Sequence, residues 1–200
     1  HRSLTVAQAA QAPTFSVPGG KVLTNTAVTI QSTEASCMCT STTAIPMCGN
    51  SPGQCDIGTK ITGLVGFSTI TAAVTLRAVA CNQPGAPSAV IEAHFAVTTP
   101  PSAPVIGPAT SSIVSGTVIT ASAGGADLVC IGTTLQAAQC PTTLGQGCTN
   151  FLSLTAAATV YAVACTYLGS QSAPVVSPVT IKSFTLQVGS TQLAAPLITD

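Results

Sequence analysis

Thr75-Leu76-Arg77-Ala78-Val79-Ala80-Cys81 returns later in the chain as Thr159-Val160-Tyr161-Ala162-Val163-Ala164-Cys165. Five of the seven positions are identical in the two copies. Both copies combine β-forming and small residues and end on a cysteine, which predicts a strand in each. Because an internal repeat defines the unit of folding, we expect two similar small domains.

The segments around the repeated strand predict an all-β protein. Short strands separated by Gly- and Pro-rich turns follow the same order in both halves, with no helical period. The pattern is typical of two tandem immunoglobulin-like β-sandwiches, with closing strands expected at 88–97 and 172–181. The predicted organisation is an N-terminal strand-like extension at 1–11, repeat one at 12–97, a Pro-rich linker at 98–102, repeat two at 103–181, and a C-terminal strand-like extension at 182–200.

The composition limits the possible partners. The 200 residues include only five Lys and Arg and five Asp and Glu, with a net charge of zero, whereas hydrophobic residues make up 46%. This balance argues against disorder and against nucleic acid, which needs a basic surface. Near-zero net charge favours association, so we expect the surface to be covered by O-linked sugar on Ser and Thr or by other copies of the chain.

The nine cysteines predict an oxidising compartment. The sequence lacks the run of about 20 apolar residues that a helix needs to cross a membrane, so no membrane insertion is expected. No signal peptide precedes the first strand, and the chain is therefore expected to be the mature form of an extracellular protein.

The repeated motifs also resemble a known family. The opening Ala12-Pro13-Thr14-Phe15, the strand Ala27-Val28-Thr29-Ile30 and the signature strand at 75–80 follow one another in the order typical of the chitobiase/β-hexosaminidase C-terminal domains, also called Fn3-associated repeats. A cysteine-bearing run at 39–43, matched at 130–134, replaces that family's usual polar turn. The resemblance implies an immunoglobulin-like sandwich in each half and an accessory module of glycan-active proteins, without catalytic residues.

Four cysteines recur in register in each half. They are Cys39, Cys48, Cys55 and Cys81 in repeat one, and Cys130, Cys140, Cys148 and Cys165 in repeat two. Four cysteines allow three pairings. We favour Cys39–Cys81 with Cys48–Cys55, and Cys130–Cys165 with Cys140–Cys148, because the first bond of each set would join neighbouring strands. Cys39–Cys48 with Cys55–Cys81 remains open.

Cys37 has no counterpart in repeat two, and we interpret it as a buried free thiol or as an intermolecular link. A zinc site would need short Cys-x-x-Cys knuckles, which the chain lacks. The sequence therefore predicts no metal and no cofactor.

No catalytic site is predicted. His1 could begin a copper centre only with a second histidine, and the other one, His94, falls in the closing strand of repeat one. The five acidic residues are too scattered for a glycosidase pair; they are Glu34, Glu92, Asp56, Asp127 and Asp200. Tyr161 and Tyr167 are expected at a sheet surface or turn rather than on a sugar platform.

The function predicted from these features is that of an extracellular structural protein, a fibre or coat subunit whose partner is itself. Strand addition would complete a sheet edge of the next copy head-to-tail. The expected donor is 3–10, through Leu4 and Val6, or 184–198, through Phe184, Leu186 and Val188. The tails could instead pair within their own chain. The alternative function is a carbohydrate-binding or accessory module of a secreted enzyme or adhesin.

Overall fold

The structure is a computed structural model that describes residues 9–51, 53–82, 86–144, 146–169 and 173–187. The described residues form strands and turns, with no helix among them. The chain divides into two compact units, the first made of residues 1–99 with 168–171 and the second of residues 100–167 with 172–200. The predicted all-β class, with two tandem immunoglobulin-like sandwiches, is confirmed.

The first unit packs a three-stranded sheet on a five-stranded sheet. The smaller sheet has the order β1-β3-β8, and the larger has the order β2-β10-β9-β4-β7. All neighbours are antiparallel except β2 and β10. The strands are β1 Thr14–Phe15, β2 Gly20–Leu23, β3 Thr26–Gln31, β4 Cys37–Ser41, β5 Met47–Cys48, β6 Cys55–Ile57, β7 Thr59–Thr62, β8 Val65–Ile70, β9 Val74–Cys81 and β10 Ile91–Thr98. A small hairpin, β5-β6, lies outside both sheets.

The second unit repeats this plan with fewer described strands. Its smaller sheet has the order β11-β13-β15, and its larger sheet has the order β12-β18-β16-β14, with β17 also paired to β16. The strands are β11 Val105–Gly107, β12 Ser112–Ile113, β13 Thr117–Ser122, β14 Leu128–Gly132, β15 Phe151–Leu154, β16 Ala158–Thr166, β17 Val175–Val176 and β18 Thr180–Leu186.

The repeated stretch forms β9 and β16, each central in its larger sheet. The side chains of Leu76, Ala78 and Ala80 enter the main core of unit one. Val79 and Cys81 alternate with them and lie in a second apolar cluster on the opposite face of the sheet. This second cluster explains why the end of the strand is buried on both faces and reads as continuously apolar.

The closing strand of unit two does not lie where the sequence predicted it. The prediction placed it at 172–181, but β18 runs from Thr180 to Leu186 and pairs with β16. Phe184 is 2% exposed in the core, and Leu186 packs against the same cluster. Phe184 and Leu186 therefore belong to the sandwich of their own chain and not to a spare C-terminal strand.

The N-terminal extension is also partly used within its own unit. Ala10 is buried in the core of unit one, and its N–H donates to the Ala86 carbonyl. The Ser32 hydroxyl donates to the Gln11 carbonyl. Of the other predicted assembly residues, Leu4, Val6 and Val188 lie outside the described residues.

Candidate functional site

Each unit carries a loop bonded to the outer face of its larger sheet. We call residues 42–58 and 133–149 the clamped loops. In unit one the loop includes the β5-β6 hairpin, where Cys48 faces Cys55. Gly58, with φ of +102°, ends this hairpin, and a Cβ there would lie 2.5 Å from the Thr40 carbonyl oxygen. Only glycine fits this approach of the loop to β4.

Two disulfides hold each clamped loop. Cys39 bonds Cys55 and Cys48 bonds Cys81, with Cα separations of 5.8 and 5.7 Å. Unit two repeats the arrangement with Cys130–Cys148 and Cys140–Cys165. The eight cysteines predicted to form disulfides do so, but both pairings considered from the sequence are wrong.

The sheet register explains this pairing. On the β4-β9 pair, Cys39 lies opposite Val79, and Cys81 lies opposite Cys37. Cys39 and Cys81 are therefore diagonal neighbours, whose Cα atoms lie about 7–8 Å apart, beyond the usual disulfide range. Their sulfurs lie 3.5 Å apart, yet each forms its disulfide with a cysteine of the covering loop, Cys39 with Cys55 and Cys81 with Cys48. The same diagonal separates Cys130 from Cys165.

Cys37 is the free cysteine of the described residues, and it is buried. Its sulfur lies within 4.8 Å of those of Cys39 and Cys81. Because these two neighbours are in disulfides, they offer no thiolate to a metal. The position opposite Cys165 in unit two is occupied by Leu128, a half-buried side chain that packs against the same kind of apolar cluster. This equivalence favours the buried-thiol interpretation over an intermolecular link.

The other candidate residues do not form a catalytic centre. The imidazole of His94 lies on β10 between the Thr75 hydroxyl, at 2.8 Å, and a carboxylate oxygen of Glu92, at 2.9 Å. Glu92 also binds the Arg77 guanidinium. Asp56 lies on β6, and Glu34 and Asp127 lie in the connections that precede β4 and β14. His1 and Asp200 lie outside the described residues. The group on β9 and β10 is thus a polar ladder across two strands.

Tyr167 supports the second clamped loop, whereas Tyr161 lies within β16. The Tyr167 hydroxyl donates to the Pro141 carbonyl at 2.8 Å, and its backbone N–H donates to the Asp127 carboxylate at 2.9 Å. Burial, and then the negative charge of Asp127, raise the pKa of the Tyr167 phenol above its usual value. Its hydroxyl therefore stays protonated as a hydrogen-bond donor to the loop.

A pair of exposed aromatic residues was missed by the sequence analysis. Phe67 on β8 is 74% exposed, and Phe151 on β15 is 57% exposed. Each pairs across the sheet with a threonine, Thr29 or Thr120. Both lie fourteen residues before the cysteine that ends the signature strand, and this common offset could have identified them.

The strands that carry these phenylalanines end their sheets. β8 and β15 each pair with one neighbour, and in the described part of the chain no strand lies on the other side. We call these outer sides the free edges. Neither strand contains a charged residue or proline, so they lack the usual features that protect an edge.

Comparisons with known proteins identify the fold alone. No protein-family model matches the chain, and no curated protein matches it, so the chitobiase-type resemblance is not confirmed. Among solved structures, murine CEACAM1b is 11% identical and matches with a TM-score of 0.50, covering 88% of this chain and all of that one. Fibronectin(III)-like modules of Clostridium thermocellum CbhA are 16% identical with a TM-score of 0.43, covering 88% and 94%.

The likeness to murine CEACAM1b agrees with the immunoglobulin-like β-sandwich fold that the sheet topology of both units shows. The four disulfides fit an oxidising environment. Over the described residues, no helix has the length and apolar character needed to cross a bilayer.

Proposed function

We propose that this protein is an extracellular structural subunit that assembles head-to-tail into a fibre or coat by strand addition. The observation that carries the proposal is the pair of free edges on β8 and β15, which are uncharged and display Phe67 and Phe151. O-linked sugar on the exposed Ser and Thr would cover the remaining charge-poor surface.

The backbone of β8 is oriented to accept a strand. The Ser32 N–H binds the Leu64 carbonyl, and the antiparallel register continues from this pair. Residues of an antiparallel strand alternate between facing their partner and facing away. The N–H and C=O groups of Val65, Phe67 and Thr69 therefore face the free edge. In β15, the bond from the Ala121 N–H to the Asn150 carbonyl orients Phe151 and Ser153 in the same way, and the Phe151 carbonyl also accepts a hydrogen bond from the Thr149 hydroxyl.

Other sheet edges are less suited to strand addition. β2 and β7 end the larger sheet of unit one, but they carry Lys21 and Lys60. Edge lysines oppose pairing because adding a strand would desolvate their charge. β1 is only two residues long and directly follows Pro13. In unit one the free edge of β8 is therefore the preferred acceptor, and β15 is its equivalent in unit two.

The N-terminal segment is the better donor. Leu4 and Val6 alternate with polar residues in a stretch without proline or glycine. Because Ala10 is anchored in its own core, the donor comprises residues 3–8 rather than 3–10. At the other end, β18 already includes Phe184 and Leu186, and Pro196 would interrupt a ladder formed by the remaining tail.

The test combines edge and donor variants. The Thr69→Pro with Ser153→Pro variant lacks two edge-facing N–H groups, and we expect it to remain monomeric. A chain that lacks residues 1–8 should also remain monomeric, because it has lost the donor. Thr69→Val with Ser153→Thr keeps the N–H groups and should assemble like the parent. Negative-stain electron microscopy and sedimentation velocity measure assembly, and circular dichroism checks folding. Filaments from folded proline variants would refute the acceptor, and filaments from the truncated chain would refute the donor.

A carbohydrate-binding accessory role is the second candidate, favoured by the exposure of Phe67 and Phe151 beside threonine hydroxyls. Aromatic faces stack on sugar rings while neighbouring hydroxyls donate and accept hydrogen bonds. A glycan array would then give signals that disappear in Phe67→Ala and Phe151→Ala variants. An array without such signals would leave self-assembly as the remaining proposal.

A further inference from the structure

Each unit contains an apolar groove on the outer face of its larger sheet. The groove lies between the clamped loop and the segment that enters the closing strand. Its open volume is about 340 Å³ in unit one and about 380 Å³ in unit two. No charged side chain lines either groove. A ligand for these grooves must therefore be uncharged and apolar where it makes contact.

The two grooves are equivalent by strand register. Val79 and Val163 line the two grooves, and they are equivalent because Val79 pairs with Cys39 and Val163 pairs with Cys130. The rims also correspond. Ser88 binds the Ala80 backbone as Ser177 binds that of Ala164, which places Val90 and Val179 at matching positions.

The loop residues that line the two grooves differ in sequence, but both loops present large, exposed apolar side chains there. Ile45 and Met47 are 63% and 51% exposed in unit one, and Leu135 is 51% exposed in unit two. Large apolar side chains exposed at equivalent sites of two divergent loops are more informative than apolar residues scattered singly. Each groove thus has the character of a docking site.

We propose that these grooves bind the apolar C-terminal run Leu193-Ala194-Ala195-Pro196-Leu197-Ile198 of a second copy of the chain. This inference rests on the proposed self-assembly and adds a second contact to it. The run is uncharged, as are the grooves, and thirteen residues follow Gln187. Pro196 lacks an N–H for a sheet ladder, but a groove that binds side chains has no need of one.

The direction of β18 favours a second copy over the same chain. The groove of unit two lies at the start of β18, near Val179 and Val163. The strand then runs from Thr180 to Leu186 and leaves the sheet about 20 Å further on, at 3.2–3.4 Å per residue. To dock in the groove of its own unit, the C-terminal run would have to reverse direction after Gln187 and run back along the length of β18.

The experiment places a photo-crosslinker in the tail of the full-length chain, as Leu197→p-benzoylphenylalanine. Irradiation of an equal mixture of ¹⁵N-labelled and unlabelled chains should give covalent dimers and larger species. Mass spectrometry should find mixed-isotope crosslinks to residues 45–48 and 87–90, or to 135–140 and 173–179. Crosslinks to other surfaces, or only within one chain, would overturn the proposal.

Charged substitutions in the grooves test the contact itself. Val90→Asp with Val179→Asp should reduce groove crosslinking at least about tenfold, because docking would bury an unpaired carboxylate. Val114→Asp is the matched control, since Val114 is an exposed valine outside both grooves. Circular dichroism confirms that each variant is folded.

The outcome can be separated from that of strand addition. Filaments that form without groove crosslinks would overturn this inference and leave strand addition standing. Groove crosslinks between chains that carry Thr69→Pro and Ser153→Pro would support it as a contact independent of the free edges. Undiminished crosslinking in the double aspartate variant would also overturn it.

Discussion

Cys37 and Leu128 occupy the same position in the two units, and they show what a single residue contributes beneath the clamped loops. Cys37 lies opposite Cys81, and Leu128 lies opposite Cys165. Each belongs to the apolar cluster that surrounds the two disulfides of its unit. Since leucine carries no thiol, the shared requirement is apolar volume, and a free cysteine meets it as a small hydrophobic residue.

Tyr167 gives a residue-scale prediction for alkaline pH. Burial and Asp127 raise the pKa of its phenol in the folded state, so folding favours the protonated form. The resulting stabilisation is complete below the unfolded pKa of about 10 and is lost as pH rises above it, because the unfolded chain ionises first. Tyr167→Phe should therefore reduce the fall in unfolding free energy as the pH rises above about 10.

Urea unfolding followed by circular dichroism, with a thiol-blocking reagent present, measures this effect. Below about pH 9 the same variant should lose about 1 kcal/mol, because the bond to the Pro141 carbonyl is gone. Tyr161→Phe is the matched control and should keep the parent profile, since it leaves Tyr167 in place. An identical alkaline slope in Tyr167→Phe and the parent would contradict the assignment.

Residue types alone could not locate the candidate site. Cysteine counts correctly predicted which eight residues form disulfides, but pairing depends on which side chains are diagonal on β4 and β9. Sequence separation does not report that register. Phe67 and Phe151 were missed for a related reason. A phenylalanine in a strand is expected in the core, and only the register shows that these two face outward.

The disulfides determine stability at the scale of the element. Each bond restricts the unfolded chain by closing a loop, with sequence separations of 16 and 33 residues in unit one. Removing Cys39–Cys55 as the double alanine variant should lower the free energy of unfolding by about 2–4 kcal/mol. Cys130→Ala with Cys148→Ala should have a similar effect, because it removes the equivalent bond.

The matched control for this prediction is Cys39→Ala with Cys81→Ala. It breaks both native disulfides of the unit and detaches the loop from the sheet, even where Cys48 and Cys55, which face each other in the hairpin, pair together. Its loss should therefore be larger than that of the Cys39→Ala with Cys55→Ala variant. Non-reducing peptide mapping at acid pH should recover Cys39 linked to Cys55 and Cys48 linked to Cys81. A recovered Cys39–Cys81 peptide would contradict the assigned pairing.

The strands show how far a repeat predicts its own copy. β9 and β16 were predicted correctly because both follow the same pattern up to matching cysteines, Cys81 and Cys165. The closing strand of unit two was misplaced because Ser177 lies twelve positions after Cys165, whereas Ser88 lies seven positions after Cys81. Because this connection is longer, the closing strand β18 lies further toward the C-terminus than expected. The alternation of apolar and polar residues around Phe184 was therefore interpreted as an additional strand.

At the scale of the whole molecule, the charge balance leads to a prediction about assembly. Ten charged residues among 200, with zero net charge, leave little electrostatic energy for salt to screen. Assembly by apolar edges and grooves should therefore change less than about twofold between roughly 0.05 and 0.5 M sodium chloride. Sulfate should instead promote it by strengthening the burial of apolar surface.

Sedimentation velocity across both salt series measures this response. The Phe67→Ser and Phe151→Ser variant is the control and should show a weaker response to sulfate, because it exposes less apolar surface. A steep decrease of assembly with sodium chloride would indicate that ion pairs dominate the contact, contrary to the prediction.

The double attachment of the clamped loops has a practical consequence. The loops differ in sequence and in the spacing of their cysteines, yet both are fixed to the sheet at the same two points. The chain between those points can therefore vary without altering the sandwich beneath it. A foreign peptide grafted between Cys140 and Cys148 would be displayed on a covalently fixed platform, which makes the domain a natural scaffold for engineered binders.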